Sequence, residues 1–110
     1  MRPKKRYILL SMSDVDSEEE FESRLFQTII KMDPLLPIKG NFRLIRNLNK
    51  KIGGGFLGVI SIGNKYKYDA IFLLSLVGKF YKSNLLTLKS SGSLKNIKKE
   101  EDSRYGTNAE

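Results

Sequence analysis

From residue 5 to residue 13 the chain reads KRYILLSMS, and Ile8, Leu10 and Met12 alternate with Tyr7, Leu9 and Ser11. Period-two alternation sends successive side chains to opposite faces, so this stretch predicts a strand. After Ser13 the period changes. Phe21, Leu25 and Ile29, with Phe26 and Ile30, recur at helical spacing and form one apolar stripe. Ser17 followed by Glu20 is a capping box at the start of that helix, and Asp16, Glu18 and Glu19 suit its positive end. Pro34 and Pro37 stop the helix, because proline supplies no N–H to continue the ladder.

Residues 42–48 (FRLIRNL) predict a second strand, with Phe42, Leu44 and Arg46 on one side and Arg43, Ile45 and Asn47 on the other. Residues 49–55 (NKKIGGG) predict a turn, 56–62 a third strand, about 65–80 a second helix, and 85–89 a last strand ending at Ser90, Ser91 and Gly92. Residues 100–110 read as a charged, flexible tail, leaving 1–99 as a single domain. The order β-α-β-β-α-β predicts an α+β fold, a ferredoxin-like (RRM-like) sandwich. In it, both helices lie on one face of a four-stranded antiparallel sheet. The first and third strands are apolar on both faces, and the second helix has little polar face. The far side of the sheet therefore needs a cover, either the C-terminal segment or a protein partner.

Composition narrows what this scaffold can do. The chain has 110 residues, enough for one modest core. It has neither Cys nor His, which excludes thiolate and imidazole chemistry, disulfides and the usual zinc sites. No catalytic residue and no metal ligand is assigned. The longest apolar stretch, residues 70–78, is far shorter than the roughly 20 residues of a membrane span. The charged N-terminus runs straight into a strand-like segment with no leader pattern. These features lead to the expectation of a cytoplasmic protein without a membrane partner.

The net charge of +8 is unevenly placed. Residues 1–6 carry four bases and no acid, and residues 7–33 carry seven acids and two bases. Residues 34–99 hold thirteen bases against the single acid Asp69. Such segregation points to a directed basic face and a polyanionic partner. Arg2, Lys4, Lys5 and Arg6 before the first strand, and Arg43, Arg46, Lys50 and Lys51 around the second, are the candidate phosphate contacts.

Three other motifs have plainer readings. Gly53-Gly54-Gly55 lacks a following Lys-Ser/Thr and leads into a strand, so it is a hairpin turn rather than a phosphate loop. Asp14, Asp16 and Glu18 have the spacing of a calcium loop, but Glu19 replaces its glycine and Leu25 its closing glutamate. They are better helix-capping acids. Residues 55–62 (GFLGVISI) lack the basic and aromatic positions that stack bases on an RNA-recognition sheet.

The most specific segment is Lys89-Ser90-Ser91-Gly92-Ser93-Leu94-Lys95, following a helix that ends in Val77-Gly78. It resembles the Ser-Gly-Thr-Ile-Lys segment of the ribonuclease P protein component 2 family, of archaeal and eukaryotic type. The basic entry Lys4-Lys5-Arg6-Tyr7-Ile8-Leu9, the acidic first helix and the Gly-rich entry Gly54-Gly55-Phe56-Leu57-Gly58 are similar too. The resemblance spans about residues 3–99. Ser93 stands where Thr is usual and Leu94 where Ile is, and both keep the chemistry. Asn64-Lys65 stands in place of a Pro-Arg-like helix entry.

The resemblance implies a non-catalytic protein subunit of an endoribonuclease, ribonuclease P. Its catalytic RNA, with Mg²⁺ ions on that RNA, removes the 5′ leader of precursor tRNA, and this chain binds no cofactor itself. The resemblance adds Ser91, Gly92, Ser93 and Lys95 to the RNA-binding residues, with the serines equally suited to capping a C-terminal helix. It implies a second ribonuclease P protein subunit, a self-dimer within a heterotetramer, and only indirect contact with precursor tRNA. Leu57, Val59, Phe72 and Leu76 are the corresponding protein-interface candidates. Two other readings stay open. One is a ribosomal or other structural RNA-binding protein of the same fold; the other is a small-ligand regulatory domain using the glycine turn.

Overall fold

The structure, a computed structural model, describes residues 4–105, with side chains placed through Ser103. Arg2 lies outside the described residues, as does the end of the tail from residue 106. Strand β1 (Lys5–Ser13) is followed by helix α1 (Glu18–Met32), the short helix α2 (Leu36–Lys39) and strands β2 (Arg43–Leu44) and β3 (Lys50–Ile52). Then come β4 (Gly55–Gly63), α3 (Lys67–Leu74), β5 (Leu85–Ser91) and α4 (Leu94–Tyr105). The result is a mixed α+β domain with a five-stranded antiparallel sheet and four helices among the described residues.

β1 and β4 pair along their full lengths, from Lys5 opposite Gly63 to Ser13 opposite Gly55. β5 flanks β1, while β2 and β3 both flank β4. The register sorts the apolar residues into two layers. Ile8, Leu10 and Met12 of β1 and Phe56, Ile60 and Ile62 of β4 meet Phe21, Leu25 and Ile29 of α1 and Ala70, Leu73 and Leu74 of α3. Phe21, Leu25 and Ile29 are fully buried. Each contributes about 1.5–3 kcal/mol relative to an exposed side chain. Ser17 caps α1 as expected, while Glu20 reaches back one residue beyond the cap. Ser17 Oγ accepts from the Glu20 N–H at 3.2 Å, and Glu20 Oε1 accepts from the Asp16 N–H at 3.1 Å. Of the acids here, Glu20 is bonded at the helix start, while Glu18 accepts from Asn49.

The second layer lies across the sheet, where Leu9, Leu57 and Val59 are sealed beneath Ile97, with Leu94, Leu88 and Tyr7 around them. The cover is therefore α4. Two expectations change with it. Residues 100–105, read as tail, continue this helix. Leu57 and Val59, read as protein-interface residues, are 0% exposed, so a partner cannot reach them while α4 is in place.

The strand expected over 42–48 is broken. The strand ends at Leu44 with one further bond to β4, from the Ile45 N–H to the Val59 carbonyl at 2.9 Å; the chain then makes a tight 3-10 turn at Arg46–Leu48, and pairing resumes at Lys50 within the expected turn. Asn49, at the end of that turn, is tied to α1: its Nδ2 donates to Glu18 Oε2 at 2.8 Å and to Glu22 Oε2 at 3.0 Å. The glycine turn is a hairpin: Ile52 pairs with Gly55, and Gly53 has φ +46°, a conformation that a side chain disfavours. The helix expected over 65–80 is α only for Lys67–Leu74, with 3-10 turns on both sides.

Candidate nucleic-acid interface

The register of β1 decides which basic residues share a surface. Lys5 lies opposite Gly63 of β4, and Tyr7 lies opposite both Ser61 of β4 and Ser91 of β5. Arg43 of β2 lies opposite Ser61 from the far side. The start of β1, the start of β2 and the ends of β4 and β5 therefore meet at one end of the sheet. Asn64 is fixed there by its N–H, which donates to the Lys4 carbonyl at 2.8 Å.

This end holds a cleft of about 370 Å³ lined by Lys4, Lys5, Arg6, Asn64 and Gly92. Lys4 and Lys5 are exposed, whereas Arg6 is half-buried. Its Nε is buried and has no hydrogen-bond partner among the described residues. Guanidinium donors are suited to phosphate oxygens, and a buried donor without a partner has an unmet need. Gly92 makes room for that group: a Cβ at this position would lie 3.0 Å from Arg6 Nη1. The two segments singled out in the sequence, the N-terminal basic run and the Ser91-Gly92-Ser93 turn, thus form one surface.

Ser93 also caps α4, and Ser91 braces the turn before it. Ser93 Oγ accepts from the Asn96 N–H at 3.4 Å, and Ser91 Oγ accepts from the Ser93 N–H at 3.1 Å. Each hydroxyl keeps its own hydrogen as a donor. Lys95 is exposed in the first turn of α4, and Arg43, also exposed, donates from Nε to Asn41 Oδ1 at 3.2 Å.

The remaining candidates lie elsewhere. Lys50 and Lys51 pair with Leu57 and Phe56, six or seven residues back along β4 from Gly63, a separation of roughly 20 Å. Acidic α1 closes on this second group. Arg46 Nε is 3.3 Å from Glu22 Oε1, and Lys51 Nζ donates to the Asp16 carbonyl at 3.5 Å. Lys50 is half-buried and faces Glu101 of α4. Burial raises the pKa of the Glu101 carboxyl above the usual 4.5, Asp102 adds to the rise, and Lys50 and Lys98 oppose it. This end of the sheet is consequently close to balanced in charge, and the cleft end is not.

Sequence reasoning missed a basic–aromatic group beside the cleft. Lys39 Nζ lies 5.7 Å and Lys65 Nζ 6.0 Å from the Tyr66 ring centroid, and Lys67 Nζ lies 4.4 Å from that of Tyr68. The signal was the run Lys65-Tyr66-Lys67-Tyr68, hidden by its place at a helix start. Of the protein-interface candidates, Phe72 is 62% exposed on α3 and Leu76 is half-buried. Among the described residues no helix is long and apolar enough to cross a membrane. No protein-family model matches the chain, and no curated protein matches it.

Proposed function

We propose that the chain is an RNA-binding, non-catalytic protein subunit of ribonuclease P that acts in the cytoplasm. In this reading it supports the catalytic RNA in removing the 5′ leader from precursor tRNA. The observation that carries the reading is the cleft where Lys4, Lys5 and Arg6 meet Asn64 and Gly92. The same two segments carry the family resemblance. Taken as one interrupted strand, β2 and β3 give the sheet the strand order of a ferredoxin-like fold, which is the fold that the resemblance implies. The basic residues would neutralise phosphates that crowd together as the catalytic RNA folds, and A-form RNA is met mainly through its phosphates and shape. Mg²⁺ on the RNA supplies the hydrolytic chemistry. Assembly with a second protein subunit, in a heterotetramer containing two copies of this chain, completes the proposal.

Reconstitution tests it. Catalytic RNA, partner subunits and precursor tRNA are mixed with and without this chain, and leader removal is measured at limiting Mg²⁺. Cleavage should rise when the chain is present and fall when Lys4, Lys5 and Arg6 are replaced by Ala. Equal cleavage with and without the chain, or co-sedimentation with ribosomes alone, overturns the proposal.

A further inference from the structure

Beside the cleft, the connection from β4 into α3 places two tyrosines among lysines. Tyr68 is 75% exposed, and only Lys67 is described over its ring, at 4.4 Å. Lys65 and Lys67 take part in no ion pair among the described residues, while Lys39 is also bonded to Asp33 at 3.1 Å. Asp69 is the one acid next to them. Asn64 lines the cleft, and Tyr68 follows four residues later, about 7 Å along the axis of the 3-10 turn and the first turn of α3. That is about twice the 3.4 Å spacing of stacked bases on one strand.

A large exposed ring with a cation behind it and a basic cleft within a nucleotide's reach is the arrangement that proteins use for unpaired nucleotides. The sheet cannot offer such a platform here. α4 covers its second face, and Tyr7, the aromatic side chain of β1, is half-buried in the layer beneath. An A-form duplex, by contrast, presents phosphates and 2′-hydroxyls and keeps its base faces stacked within the helix.

We infer that Tyr68 is a stacking position for an unpaired RNA base whose neighbouring phosphates enter the cleft of Lys4, Lys5 and Arg6. The inference rests on the RNA-binding reading and deepens it. The chain takes single-stranded or bulged RNA at this end, and the lysines around Tyr66 hold the strand against the start of α3.

The test compares a labelled single-stranded oligoadenylate with a blunt RNA duplex of equal length, by fluorescence anisotropy on the full chain. Tyr68→Ala should weaken single-strand binding by roughly 5- to 150-fold and change duplex binding by less than about twofold. Tyr68→Phe should bind like the wild type. Because the side chain is exposed, the variants should unfold at the wild-type temperature. Single-strand affinity unchanged in Tyr68→Ala, or lost equally on both RNAs, overturns the inference while leaving RNA binding standing. So does a loss of assembly with a protein subunit at unchanged RNA affinity, which would make the ring a protein contact. A wild-type chain that binds neither RNA overturns the RNA-binding reading itself.

Discussion

The ring of Phe21 fills the space that a side chain on Gly58 would need. A Cβ at position 58 would lie 2.5 Å from Phe21 Cζ and 2.6 Å from Cε2. The ring cannot swing away, because it is fully buried and stacked on Phe56 with centroids 5.7 Å apart. Gly58 therefore sets how closely α1 approaches the sheet. Gly58→Ala should cost about 1–3 kcal/mol, the usual penalty of overpacking. In a domain of this size that lowers the melting temperature by roughly 4–8 °C per kcal/mol, which calorimetry would read directly. A variant that melts with the wild type would refute the account.

The two basic groups should differ in their use. Replacing Lys5 and Arg6 by Ala should reduce RNA affinity and flatten the dependence of log K on log salt. The slope should shrink by about 0.7–0.9 for each phosphate that is no longer neutralised. The same replacement of Arg46 and Lys51, which already face Glu22 and the Asp16 carbonyl, should have a smaller effect on both. Binding titrations over a range of salt concentrations distinguish the two pairs.

Ser93 is a helix cap before it is anything else. Ser93→Ala removes the acceptor for the Asn96 N–H and should cost about 0.5–2 kcal/mol. Hydrogen exchange should show the loss concentrated in α4 and the second apolar layer. Ser93→Asp restores an acceptor and should recover the stability, but it places a negative charge beside the cleft. RNA affinity should then fall while the fold is rescued.

Glu101 should make the stability of α4 depend on pH. Its carboxyl is buried, and Oε2 has no partner among the described residues. Burial raises the pKa, so the folded chain holds the proton more tightly than the unfolded one. The stabilising contribution is complete below the ordinary value of 4.5 and is lost as pH rises through the raised value. Glu101→Gln stays neutral, so its stability relative to the wild type should grow from about pH 4 toward pH 7. Urea unfolding at both ends of that range checks the sign, and a constant difference would contradict it.

Elements with a clean period were legible in the sequence. β1, α1 and β4 lie close to where alternation and capping placed them, because each buries a face set by its own local pattern. The break between β2 and β3 was not legible. At the end of the turn Asn49 is held by Glu18 and Glu22, about thirty residues away in the chain, and no local pattern encodes such a pairing. α4 was hidden for another reason. Among its described side chains Leu94 and Ile97 are the apolar anchors, so the charged remainder reads as solvated chain, although the capping serine Ser93 was visible. At the site, the basic residues were legible as types. The register alone revealed that Lys5 and Arg6 share a surface with Gly92 while Lys50 and Lys51 do not.

The interrupted strand has a consequence for the protein at high concentration. A sheet that ends in a long, flat strand offers its unpaired amides and carbonyls to any neighbouring chain. Here one border consists of a two-residue and a three-residue stretch separated by a turn and bearing Arg43, Lys50 and Lys51. The opposite border, β5, carries an extra residue at Leu88, where its register against β1 shifts, and Lys89 beside it. Neither border offers an incoming strand a long, regular run of free amides and carbonyls, so the edges where copies of the chain would otherwise add are short or kinked.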